Sequence, residues 1–188
     1  MGLGPLGLGE DGRYLRAELG SIEAELQGTK LGELSLGSLK PYRDRLALAA
    51  AKDAYVAGLA RESFIAPGSG QFRLGEGGSG AAWLTAHLAA VTGGALAFYY
   101  LLPSDLRFNH LDYLDASLTD ITRAWNSHSV SDYLPAAGAA LGGMVLDMAL
   151  RYLSAKSALE GGREAVDAGK VKLEPLVFPG LLGLGLSY

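Results

Sequence analysis

Along this chain the apolar positions follow two patterns, a helical stripe near the N-terminus and unbroken apolar runs further on. From Arg13 to Gln27, Leu15, Leu19, Ile22 and Leu26 recur at i, i+4, i+7 and i+11, with Glu18, Glu23 and Glu25 between them. That spacing predicts an amphipathic helix whose stripe needs a partner. Glycines between Gly28 and Lys40 break the pattern, and a second helix is predicted from Pro41 to about Glu62, carrying Leu46, Ala50, Ala54 and Leu59. Tyr42, Tyr55 and Phe64 are its aromatic anchors. Six glycines and one proline then crowd the 14 residues from Pro67 to Gly80, which predicts tight turns with positive φ.

From Gly77 to Leu102 no Asp, Glu, Lys or Arg occurs in 26 residues. About 20 apolar residues at 1.5 Å rise cross a hydrocarbon core of about 30 Å, so Ala81 to Leu102 is long enough to span a bilayer. Trp83 near one end and Tyr99 with Tyr100 near the other suit headgroup level, and Pro103 closes the run. A second run extends from Tyr133 to about Leu153, with Pro135 in the first turn. Asp147 interrupts it after 14 uncharged residues and Arg151 follows one turn later. If both cross, they form an antiparallel hairpin. The competing reading is a buried core of a soluble protein, favoured by the alanine content, Thr85 and His87.

In the intervening linker Leu111, Leu114, Leu118, Ile121 and Trp125 are spaced 3, 4, 3 and 4 apart, which predicts a short amphipathic helix with Trp125 on its apolar face. Beyond residue 171 the chain alternates in a β-like way, at Val171 and Leu173 and again at Leu182, Leu184 and Leu186. A membrane barrel needs eight or more such segments, so one does not make a barrel. The predicted fold is mainly α: a two-span antiparallel helical hairpin with amphipathic flanking helices and a short β-like C-terminal segment. It divides into an N-terminal helix and glycine-rich linker (1–40), a membrane-hairpin domain (41–160) and a C-terminal tail (161–188).

Composition sharpens this. The 188 residues include no cysteine and 27 glycines; 49% are hydrophobic and 19% charged. Soluble proteins average about 25% charged residues and about 7% glycine. Disorder, a disulfide-stapled fold and thiol chemistry are excluded. A net charge of -4 argues against nucleic acid as a partner. The linker from Pro103 to Asp132 carries five Asp and two Arg, whereas Arg61, Arg73, Arg151 and Lys156 flank the apolar runs on the other side. The positive-inside tendency then puts those cations in the cytoplasm and the acidic linker outside. The first nine residues do not resemble a signal peptide, which favours a bacterial inner membrane over an outer one.

Candidate chemistry is sparse. Helices pack in lipid through small residues: Ala86, Ala90 and Gly94 share one face of the first run, and Gly138 and Gly142 form a G-x-x-x-G in the second. His87 and Asp147 fall at similar depth in an antiparallel pair, and an ionisable group within a span is a functional-site hypothesis, since its cost is at least about 3 kcal/mol. The simpler reading, which the sequence favours, has Asp147 marking the interface with Arg151 as its i,i+4 partner. Gly75, Gly77 and Gly80 satisfy G-x-G-x-x-G without a strand–helix–strand unit around them. His87, His110 and His128 show neither H-E-x-x-H nor a close metal spacing, and Asp120, Ser127, His128 and Asp132 read as a solvated linker. No catalytic, cofactor or metal residue is predicted.

Ser63-Phe-Ile-Ala-Pro-Gly-Ser-Gly-Gln-Phe72, a polar glycine-rich stretch and then an apolar helix resemble a bacterial P-G-x-G-Q-[FY] pattern found in small helical-hairpin membrane proteins. The layout of residues 63 to 188 is also similar to the small spirochaetal surface-porin family. The resemblance implies an envelope protein, porin-like in some relatives, and supplies no catalytic residue. Pro67, Gly68, Gly70 and Gln71 match its turn, which would set the chain's path into the first span, with Gln71 bonding backbone groups freed at the break. The expectation is a non-enzymatic envelope membrane protein, a scaffold or oligomeric pore component, whose partners are the lipid bilayer and further copies of itself. The alternative is a soluble or peripheral helical protein-interaction module.

Overall fold

A computed structural model describes residues 12–29 and 35–173, and those residues are mainly helical. In order they form α1 (Arg13–Leu26), α2 (Leu36–Ile65), α3 (Ser69–Arg73), α4 (Gly77–Leu101), a 3-10 turn (Ser104–Leu106), α5 (Leu118–Asn126) and α6 (Val130–Asp167). No strand occurs among the described residues. The predicted β-like tail lies outside them from residue 174 onward, and Val171 to Leu173 form no strand.

Several helix ends lie where side chains satisfy free backbone groups. The start of α2 is five residues earlier than the proline suggested, because Ser35 and Ser38 form a reciprocal capping box: Ser35 Oγ accepts from Ser38 N at 3.1 Å, and Ser35 N donates to Ser38 Oγ at 3.0 Å. Pro41 therefore lies inside the helix. It removes one bond, to the carbonyl of Gly37, a residue in open solvent. Helix α6 repeats the arrangement, with Ser129 and Asp132 as the box and Pro135 inside. Gly12 has no side chain to cap α1, and Asp53 of α2 supplies the carboxylate, accepting from Tyr14 N at 3.2 Å and Leu15 N at 2.9 Å.

Two parts of opposite character result. In the first, α1, α2, α3 and the last turns of α6 form a bundle. Its core contains Val56, Ala60, Leu159 and Val166, with Tyr14, Tyr55 and Leu173 packed against them, and α1 contributes Ile22 from its predicted stripe. Leu59 of α2 is completely buried, and a Cβ at Gly162 of α6 would sit 2.8 Å from its Cδ1. Small residues of α6 thus let α2 approach closely.

The second part is the apolar pair of α4 and the first two-thirds of α6. His87 meets Asp147 and Gly94 meets Gly143, so the two helices run antiparallel. Here the exposure pattern of a soluble domain is inverted. Only 6% of the most apolar 18-residue stretch of each helix is buried. Leu88, Leu96, Leu141 and Val145 are 54%, 51%, 63% and 70% exposed. The competing reading of these runs as a buried core does not hold within this chain, since small residues fill the seam and large apolar ones face out.

The connecting tip departs from the predicted helix. Only Leu118–Asn126 is helical. Asp112 Oδ1 accepts from the backbone of Leu114 and Asp115 at 3.0 and 3.3 Å, a local turn that competes with helix, and Ser117 caps α5 by accepting from Asp120 N. Leu111 and Leu114 lie before that cap, and Leu114 is fully in the open.

Candidate functional site

Two polar clusters lie where the bundle meets the apolar pair. The first is built by the Pro67–Gln71 turn. Gly68 adopts φ +96°, which favours glycine, and a Cβ there would overlap the carbonyl of Gly80 in the first turn of α4. A Cβ at Gly70 would lie 2.5 Å from Ser63 Oγ, 2.7 Å from Ala158 Cβ and 2.7 Å from the Leu59 carbonyl. With both glycines in place the turn seats against α2 and α6 at once. Gly70 N donates to Ser63 Oγ at 2.8 Å, Gly68 N donates to Ser154 Oγ at 3.0 Å, and Ser63 Oγ donates to Gln71 Oε1 at 3.1 Å. Gln71 Nε2 donates to the Ser154 carbonyl at 2.9 Å. Ser63, Gln71 and Ser154 are all completely buried. Gln71 thus bonds the backbone of α6, not the groups freed at its own turn. A buried polar network with every member partnered fixes one geometry, and each member becomes costly to remove.

Six glycines did not keep the whole Pro67–Gly80 stretch out of helix. Gly68 and Gly75 take positive φ and flank the short α3, whereas Gly77, Gly78 and Gly80 open α4. Gly80 sits under Phe72, where a Cβ would approach the ring to 2.9 Å.

The second cluster lies one to two turns further down the pair. His87 Nδ1 is 2.5 Å from Asp147 Oδ1, and Arg151 Nε donates to Asp147 Oδ2 at 2.8 Å. An ionised carboxylate only accepts, so the imidazole is the donor. The two sequence readings of Asp147 are therefore compatible, because one oxygen faces each partner. Arg151 continues the chain: its Nη1 donates to the carbonyls of Phe64 at 3.2 Å and Ile65 at 2.7 Å, where α2 ends. A cation there satisfies terminal carbonyls and complements the helix dipole. The line from His87 to Arg151 ties α4, α6 and α2 together, with all three side chains partly shielded. The arrangement compensates charge: one carboxylate lies between an imidazole and a guanidinium.

Of the small residues predicted to pack, Ala90 is buried and Gly94 faces Gly143, whose Cα would be 3.2 Å from a Cβ at Gly94. Gly138 and Gly142 have open space beside them and line the outer face of α6. Ala136 and Gly143 take the seam instead. The sequence signal for the seam is a stripe at three- and four-residue steps: Ala136, Ala140, Gly143, Asp147, Arg151, Ser154, Ala158, Gly162. It continues past Leu153, where the predicted span stopped, and so includes Ser154.

The tip holds a third polar group. His128 Nε2 is 2.8 Å from Asp105 Oδ2, and its ring packs edge-on against Tyr133. The hydrogen bond from His128 holds the Asp105 carboxyl below its ordinary range, and Ser129 does the same for Asp132. Asp132 and His128 are thus structural: one caps α6 and the other fastens the 3-10 turn to it. Arg107 caps α4, donating to the carbonyls of Tyr100 and Leu102 at 2.6 and 2.9 Å. Among the described residues no group of three or more His, Asp or Glu is arranged to hold a metal ion. No protein-family model, curated protein or solved structure matches the chain.

Proposed function

We propose that this chain is a non-enzymatic integral membrane scaffold, in which α4 and the first part of α6 cross the bilayer as a hairpin and present the helical bundle on one side. The observation that carries the reading is the outward orientation of the large apolar residues. Leu84 to Leu101 on α4 and Leu134 to Leu153 on α6 give an exposed apolar belt about 26 to 28 Å tall at 1.5 Å per residue. That matches a hydrocarbon core of about 30 Å. The tip supports a full crossing over a shallow insertion, because Asp105, Asp112, Asp115, Asp120 and Asp132 cluster there, and charges at mid-bilayer cost about 3 kcal/mol each or more.

A channel within one chain is not part of this reading, since the Gly94–Gly143 contact closes the seam. A pore would need several copies. The bacterial inner membrane, with the bundle in the cytoplasm, is the address that the basic side chains of the bundle end favour.

Alkaline carbonate extraction of membranes containing the expressed chain tests the proposal. The protein is expected in the pellet and released only by detergent. Recovery in the aqueous supernatant overturns the spanning reading and leaves a soluble or peripheral interaction module, whose partner would have to cover the apolar belt.

A further inference from the structure

We infer that the bundle end of the hairpin selects anionic phospholipid headgroups, whereas the tip end does not; this rests on the spanning reading above. Cations form a collar where the exposed apolar belt begins. Ser154 is fixed against Gly68 at that junction, and Lys156 lies half a turn beyond it on α6. Ile65 meets Arg151 there, and Arg61 stands one turn back along α2. Arg73 joins them through its ion pair with Glu62, the neighbour of Arg61.

Carboxylates share this level, Asp147 with Arg151, Glu62 with Arg73, Glu160 with Lys156 and exposed Glu76 at the start of α4, so what distinguishes the cations is how loosely most of them are held. Arg151 is consumed by Asp147 and the end of α2. Arg73 and Glu62 are both about half exposed, and Lys156 reaches Glu160 only at 4.0 Å with both side chains in the open. Exposed pairs of this kind contribute little and exchange readily for another anion. Arg61 is exposed and makes no ion pair among the described residues. Exposed Ile65 and Tyr152 lie in the same zone, so a lipid there meets apolar surface with its chains and a cation with its phosphate. Long Arg and Lys side chains suit this level because their stems lie along apolar surface while the charge reaches the headgroups. At the other end, five carboxylates against two arginines leave a tip that repels anions. Basic residues beside a membrane surface attract anionic lipid, an effect confined to a Debye length.

The two tryptophans report the two ends separately. Trp83 lies three residues beyond Gly80, and Trp125 stacks on Tyr133 at the tip with ring centroids 5.5 Å apart. The full chain, as Trp125→Phe or Trp83→Phe, is reconstituted in phosphatidylcholine–phosphatidylglycerol vesicles in which either lipid carries brominated acyl chains that quench on contact. Both leaflets contain quencher, so the direction of insertion does not matter. At Trp83, contact with phosphatidylglycerol is expected to exceed phosphatidylcholine about two- to threefold, falling to parity in Arg61→Gln/Lys156→Gln and in high salt. Trp125 is expected to show no such preference. Equal quenching of Trp83 by the two lipids overturns the inference while leaving the span intact. Absence of quenching at both tryptophans overturns the span and the inference together. Millimolar inorganic phosphate in pure phosphatidylcholine vesicles is expected to leave Trp83 emission unchanged; a response there would assign the collar to free phosphate and overturn lipid selection.

Discussion

A methyl group added at Gly70 would meet a buried alanine and a backbone carbonyl, which cannot rotate away, and the Ser63 hydroxyl, which could do so only by giving up its bonds to Gly70 N and Gln71. Gly70→Ala is therefore expected to destabilise the chain by about 2 kcal/mol or more, in line with the cost of overpacking. Gly138→Ala, with open space beside it, is expected to be neutral or stabilising by up to about 1 kcal/mol, the difference in helix propensity. Denaturation of both variants in mild detergent checks the pair. From sequence the two glycines looked alike, each in a short motif. What separates them is the face they occupy, and that depends on which helices come together. Tyr14 offers a second test at this scale. Burial, then its hydrogen bond to Asp167 at 2.8 Å and the charge of that carboxylate, push the phenol up to about 12 from 10.0, against the opposing pull of Arg13 and Arg163. The folded form resists ionisation, so this contribution is complete below pH 10 and disappears as pH rises from 10 to 12. Tyr14→Phe is expected to lack that loss, read as the difference between the two unfolding curves across the window.

Helix α6 explains why some elements were legible and others were not. Its apolar first part was visible as an uncharged run, and α1 as a stripe. Its last turns were missed because the run ends at Leu153, while the helix continues on a stripe of small residues with charged neighbours such as Lys156 and Glu160. Hydrophobicity marks what a helix face meets, and α6 displays apolar residues in its first part and packs small ones against α2 in its last turns. The starts of α2 and α6 differ from the sequence expectation for one shared reason: proline is a first-turn signal, yet capping boxes opened by serines six residues upstream satisfy free donors and outweigh one missing bond. Pairing of His87 with Asp147 was legible as a depth match, although the sequence ranked it second. Its energetic weight is open to a double-mutant cycle with His87→Ala and Asp147→Asn. Interhelical polar contacts in membranes contribute about 0.6 kcal/mol on average, and the partial shielding here predicts a coupling of about 0.5 to 2 kcal/mol in detergent unfolding. A coupling near zero would reduce the contact to coincidence of position.

For the whole molecule, the bundle buries its apolar side chains while the pair displays them, and under the proposed spanning reading one chain is folded for two solvents. Its lack of cysteine makes the arrangement simple to map. Single substitutions Glu23→Cys on the bundle, Asp115→Cys at the tip and Met144→Cys on the belt are expected to label differently with a membrane-impermeant maleimide. The first two should react from opposite sides of sealed vesicles, and the third only after detergent. Labelling of all three from one side would return the chain to an aqueous or surface-bound location. The continuity of α6 has a mechanical meaning beyond packing. Its 38 residues form a rod about 57 Å long that runs from the tip to the far edge of the bundle without a break. Arg151 clamps the rod to the end of α2, and Gln71 clamps it to the turn before α4. With α6 continuous through both parts, the spanning reading implies that a change in the tilt of the hairpin carries the bundle with it.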